Sequence, residues 1–150
     1  FNRVSPQMNA KTPVESFATA FLGIYSVVTG RLRDASAGHD PTILVRSNDE
    51  VDLLMPTGMP LGLMPEAQYT DAETSLEVNK SLVLYTDGIT EAANPEQEEF
   101  GRERLIEICK SHHGEPPPEM ATSVHARVEE FVQGVPYHDD RTLVILRRTG

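Results

Sequence analysis

An α+β fold with antiparallel strand pairing follows from three observations. Short apolar, β-branched runs fill residues 17–85, two helical patterns occupy residues 102–132, and one further strand-like run closes the chain. Strands first, helices late and a single strand last is the order of an α+β domain. An alternating βα fold would interleave them.

Residues 1–13 are polar and broken by Pro6 and Pro13, with Phe1, Val4 and Met8 at helix-like spacing. They read as the tail of a helix followed by a loop. A natural protein seldom starts in the middle of a helical pattern without Met, so the chain is expected to be cut from something longer. Residues 17–28 are rich in aromatic and β-branched residues and predict a strand buried on both faces. Thr29-Gly30 signals a tight turn and residues 31–35 the returning strand. Gly38 and Pro41 break the pattern, and residues 42–46 resume it. Ser47-Asn48-Asp49-Glu50 is a turn cluster before a short strand over residues 51–54. Five Pro and Gly residues in 55–65 (Pro56, Gly58, Pro60, Gly62, Pro65) rule out regular structure and predict a shaped loop. Residues 69–78 predict a half-exposed strand that turns at Asn79-Lys80 into the run 81–85.

The first helix is expected over residues 102–112, with Leu105, Ile106, Ile108 and Cys109 on one face. Pro116-Pro117-Pro118 separates it from a second, whose apolar stripe is Met120, Val124, Val128, Phe131 and Val132. Pro at its start and Gly134 past its end follow the usual helix asymmetry. Residues 142–147 form the closing strand.

Composition limits the function. The 150 residues are 39% hydrophobic and 24% charged, which suits one soluble domain with a real core. A formal net charge of −10 argues against nucleic acid, whose phosphates need a basic face. Cys109 is the only cysteine, so no internal disulfide can form, as in a reducing cytoplasm. The apolar run 17–28 is shorter than the roughly 20 residues a membrane span needs. No export signal, internal repeat or low-complexity tract is legible.

The informative stretch is SLVLYTDGITE, residues 81–91, where an apolar strand stops at Asp87-Gly88. Asp139-Asp140 precedes the last strand. If the two strands lie side by side and antiparallel, a carboxylate at the end of one and a carboxylate at the start of the other meet at one rim. Converging carboxylates attract a hard divalent cation. Taken singly, each motif also has a plain reading. Asp-Gly at a strand end is a common turn, and Asp139-Asp140 is tolerable if solvated. The histidines form no cluster: His112-His113 sits at a helix end, where imidazole suits the terminal carbonyls, and His125 and His138 lie apart. No zinc spacing, Gly-rich phosphate loop or nucleophile elbow is present.

The ordered set FATAFLGIYSVVTGRLRDASAGHDP, TGMPLGL, LVLYTDGITEAANPE, FGRERL and DDRTLVILRR resembles the SpoIIE-like branch of the PPM-type protein serine/threonine phosphatases. It looks most like the RsbU-type regulators of bacterial stress and sigma-factor pathways. The resemblance implies a partial αββα sandwich of antiparallel sheets flanked by helices, with residues 1–150 as a single PPM-type domain that is N-terminally incomplete. It implies a binuclear Mn²⁺ or Mg²⁺ centre whose metal-bridging water attacks phosphoserine or phosphothreonine, with no catalytic residue beyond the metal ligands. Asp87 and Asp139 match metal-ligand positions, Asp140 stands beside them, and Gly88 lets the backbone pass close to the metal. Gly38-His39 matches a hairpin whose expected role is structural, and residues 58–62 a loop that shapes the surface near the cleft. The implied partner is a phosphorylated protein of the anti-sigma-factor-antagonist type, in the cytoplasm.

The chain departs from the family in lacking two acidic motifs normally found upstream. The run from Asp34 to His39 superficially resembles one of them, an Asp-x-Ser-Gly-His-Gly turn. Its spacing is one residue too long, and its continuation through Pro41 matches the later hairpin. Two or three carboxylates would bind a cation weakly. Sheet edges would need cover from a missing N-terminal part or another chain. Two functions therefore compete: the C-terminal part of a phosphatase, inactive in isolation, and a non-catalytic pseudophosphatase module that acts by contact.

Overall fold

The computed structural model describes residues 1–13 and 16–150. It is an α+β chain with two antiparallel sheets and helices, divided into two compact units.

The first unit comprises residues 1–41 and 55–76. Helix α1 spans Val4–Lys11, where the spacing of Phe1, Val4 and Met8 predicts helix. Polar bonds hold it more than an apolar face does. Ser5 is fully buried, where its Oγ accepts from the Gly62 amide (3.1 Å) and from the Tyr69 hydroxyl (2.9 Å). The Asn2 side chain pairs with both backbone groups of Tyr69. Strands β1 (Ala20–Tyr25) and β2 (Arg31–Ala37) form a hairpin in the register Ala20↔Ala37 to Tyr25↔Leu32. Gly30 turns it with φ 74°, a left-handed value suited to glycine. In this sheet the order is β1-β2-β5, where β5 (Ala72–Ser75) is shorter than the expected 69–78 strand.

The run 17–28 is not buried on both faces. Leu22 is 55% exposed, Ile24 68% and Val28 84%. β1 is an edge strand with β2 as its only partner among the described residues, so its side chains have neighbours on one flank only. Apolar β-branched composition marks a strand that wants cover and cannot say whether the cover is supplied.

The Pro- and Gly-rich segment 55–65 is irregular, as expected, and fits closely to the end of β2. A Cβ on Gly38 would lie 2.5 Å from the Pro60 ring, and one on Gly58 2.5 Å from the Tyr69 ring. The Thr57 hydroxyl accepts from the Ser36 amide at 2.9 Å. His39 Nδ1 lies 3.0 Å from the Asp40 carbonyl.

The second unit comprises residues 42–54 and 77–150. Its sheet runs β4-β3-β6-β7, from β3 (Thr42–Val45), β4 (Val51–Leu54), β6 (Ser81–Tyr85) and β7 (Leu143–Arg147), all antiparallel. The Ser47 hydroxyl accepts the Asp49 and Glu50 amides and so makes the predicted β3–β4 turn. After β6 comes a four-residue helix, α2 (Asp87–Thr90), then α3 (Gly101–Ser111) and α4 (Pro117–Val132). The expected stripes are the buried faces: Leu105, Ile108 and Cys109 of α3, and Met120, Val124, Val128 and Val132 of α4. They form one core with Ile43, Val45, Val83 and Tyr85. At about 25 cal/mol per Å² of buried apolar area, this cluster is the main stabilising term of the unit. His112 caps α3 through Nδ1, 2.9 Å from the Ile108 carbonyl, the structural use expected at that helix end.

Candidate metal centre

β6 lies between β3 and β7, and its pairing with β7 runs from Ser81↔Arg147 to Tyr85↔Leu143. The two strands are therefore side by side and antiparallel, so the end of one and the start of the other share a rim. One more rung extends the ladder, where the Thr86 amide donates to the Thr142 carbonyl at 3.1 Å. Asp87 follows Thr86 directly, and Asp139-Asp140 lies just ahead of Thr142.

Two contacts lock these segments together. The Thr86 hydroxyl donates to the Asp140 carbonyl (3.1 Å) and accepts from the Thr142 amide (2.9 Å). Gly88 is buried against the same carbonyl: a Cβ built on it would stand 2.4 Å from the Asp140 oxygen. Only glycine fits there, because any side chain would meet the Asp140 backbone. Ile89, fully buried in the core, anchors the turn from below.

The carboxylates are exposed and lightly engaged. Asp87 Oδ1 accepts from the Gly88 amide at 2.9 Å, and Asp139 Oδ1 from the Asp140 amide at 2.7 Å. Among the described residues none of the three aspartates is in an ion pair, so their remaining lone pairs face solvent. These are hard oxygen donors of the kind Mn²⁺ and Mg²⁺ prefer. Their chemistry fits such a cation, and their number makes only part of a coordination shell. Among the described residues, no three His, Cys, Asp or Glu side chains gather closely enough to hold a metal ion.

A small cleft of about 140 Å³ opens beside the rim, with Gly88, Glu91, Glu99, Tyr137, His138 and Asp139 among its walls. The sequence singles out neither Glu91, although it closes the stretch 81–91, nor Glu99 and Tyr137, which belong to no motif; the three meet only through folding. Nor does it single out Thr86, although a hydroxyl next to the strand-ending Asp is a usable signal. The larger concavity of this unit, about 810 Å³ between α3 and α4, is floored by Phe100, Ile108 and Phe131 and shares no residue with the rim. Cys109 takes no part: it is fully buried, and burial pushes its thiol up to about 12.

Known proteins resemble this chain in sequence and in fold. Protein IcfG of Synechocystis is 30% identical over 132 residues, 88% of this chain and 21% of that protein. Phosphoserine phosphatase RsbU of Bacillus subtilis is 29% identical over 148 residues, 98% of this chain and 43% of the relative. The chain thus spans less than half the length of either. Among solved structures, the SiaA-PP2C domain of Pseudomonas aeruginosa superposes with a TM-score of 0.70 at 26% identity, covering 79% of this chain and 47% of that one. The family model for Stage II sporulation protein E (SpoIIE) matches residues 1–149, and the chain belongs to that family.

Proposed function

We infer that this chain is part of a metal-dependent protein serine/threonine phosphatase that hydrolyses phosphoserine or phosphothreonine on a regulatory protein. The observation that carries the reading is the Thr86–Gly88 lock, which sets Asp87 and Asp139-Asp140 at one rim of the four-stranded sheet. Family membership and the likeness to a phosphoserine phosphatase support it. Asp87 and Asp139 would hold Mn²⁺ or Mg²⁺, with Asp140 beside them. When bound, a pair of such cations acidifies water for attack on phosphorus and neutralises charge on the phosphoryl oxygens.

The chain's own residues do the holding and the orienting. Thr86 fixes the distance between the two acid-bearing segments. Gly88 keeps the backbone low enough for that approach. The aspartates present hard oxygens that no ion pair among the described residues engages.

We take residues 1–150 as belonging to one PPM-type domain, since a single family match spans both units. The substrate fits a cytoplasmic phosphoprotein of the anti-sigma-factor-antagonist type. No helix among the described residues is long and apolar enough to cross a membrane.

Titrating Mn²⁺ against hydrolysis of a phosphoserine peptide tests the reading. The full-length protein is expected to show metal-dependent release of phosphate, and the isolated 150 residues negligible turnover. A full-length protein that binds the phosphopeptide and never hydrolyses it at any Mn²⁺ concentration would refute the enzyme reading in favour of a contact module.

A further inference from the structure

Asp139 sits in an exposed connection between α4 and β7, where a side chain would ordinarily sample many directions. Arg141, two residues further on, is itself held by three contacts. The Arg141 guanidinium carbon stacks 3.3 Å from the centre of the Tyr137 ring. Its Nη2 reaches Glu129 Oε1 on α4 at 3.1 Å. Its stem covers Gly88: a Cβ on that glycine would stand 3.3 Å from Arg141 Cγ. The side chain is only 18% exposed despite its charge.

The stack joins residues four apart and closes a turn in which the chain bends at His138 and Asp139. The Glu129 bridge ties that turn to a helix that is itself part of the core. The Gly88 contact ties it to the segment carrying Asp87. A planar guanidinium suits this task, because it can stack on a ring and donate at its edge together, which an ammonium cannot.

We propose that Arg141 is a positioning residue: through Tyr137, Glu129 and Gly88 it fixes the direction in which Asp139 presents its carboxylate to a divalent cation. This rests on the metal reading given above. Arg141 itself touches neither cation nor substrate. Outer partners of metal ligands commonly change metal affinity by about 10- to 100-fold when removed.

The test uses the full-length protein with Arg141→Ala, Arg141→Lys and Asp139→Asn variants. Mn²⁺ affinity is measured by calorimetry, and amide hydrogen exchange over residues 137–142 is measured without metal. Arg141→Ala is expected to weaken Mn²⁺ binding by about 10-fold or more and to speed exchange in that segment. At saturating Mn²⁺ its KM for a phosphopeptide should stay unchanged. Arg141→Lys, which keeps the charge and loses the planar stack, should fall between wild type and Arg141→Ala. It also serves as the decisive variant if the alanine protein does not fold. Wild-type affinity and exchange in the arginine variants, with weakened binding in Asp139→Asn, would overturn the positioning role and leave the metal reading standing. Wild-type Mn²⁺ affinity in Asp139→Asn would overturn the metal reading and this inference with it.

Discussion

The hydroxyl of Thr86 donates to the carbonyl of Asp140 across the β6–β7 pair and accepts the Thr142 amide in return. One side chain thereby sets the spacing of two acid-bearing segments that are far apart in sequence. Thr86→Val keeps the shape and removes both bonds. It should cost about 1–2 kcal/mol in urea unfolding and weaken Mn²⁺ activation, while Thr86→Ser should retain most of both. Equal stability of the valine and wild-type proteins would show that the lock is not energetically significant.

Gly88→Ala tests the close approach on the other side of the same carbonyl. A methyl group 2.4 Å from the Asp140 oxygen must push backbone, which has little room to yield. Overpacking of this kind costs about 1–3 kcal/mol, and the displaced Asp140 carbonyl should take Asp139 with it. Full metal-dependent activity in the alanine variant would contradict the fit described here.

Asp34 gives a pH-dependent prediction. It lies on β2, 3% exposed, and its Oδ1 has no hydrogen-bond partner among the described residues. Burial raises its pKa above the ordinary 3.8. With the folded value above the unfolded one, the folded state holds the proton longer. This group's contribution to stability is therefore greatest in acid and declines as pH rises from the unfolded value through the folded one. Asp34→Asn removes the ionisation. The variant should have the higher urea midpoint at pH 7, with the difference shrinking toward pH 4. A difference constant with pH would contradict the assignment.

The core of the second unit should behave conventionally. Met120 is fully buried on α4 among Val124, Leu105 and their neighbours. Met120→Ala should destabilise by about 2–5 kcal/mol, read as a lower urea midpoint at unchanged m-value. A loss under 1 kcal/mol would mean that the site collapses around the missing side chain.

Much of this was legible in the sequence, for reasons visible in particular residues. The stripe Met120, Val124, Val128 and Val132 repeats every four positions, so α4 was recognisable and its buried face with it. Asp87 and Asp139-Asp140 were legible as neighbours because each abuts an apolar run, and two such runs pair naturally in an antiparallel sheet. The exposure of β1 was not legible. Phe17, Leu22, Ile24 and Val28 have the composition of a buried strand, and burial depends on what packs against them. Nor was the Arg141–Tyr137–Glu129 bracket, because it joins the last turn of α4 to the irregular connection that follows it, where no spacing rule links its members. In the sequence Asp34 stands out only as the start of the misleading run Asp34 to His39. Its burial follows from its place beside Leu32 and Ser36 on the covered face of β2.

The most direct measurement is the rate of Mn²⁺-dependent phosphate release from a phosphoserine substrate by the full-length protein with Asp87→Asn and, separately, Asp139→Asn. Each substitution removes one hard anionic donor with almost no change in shape. The account predicts that both variants stay folded and lose kcat by more than about 100-fold, as expected when charge neutralisation at a phosphoryl centre is withdrawn. Wild-type rates in either folded variant would contradict it.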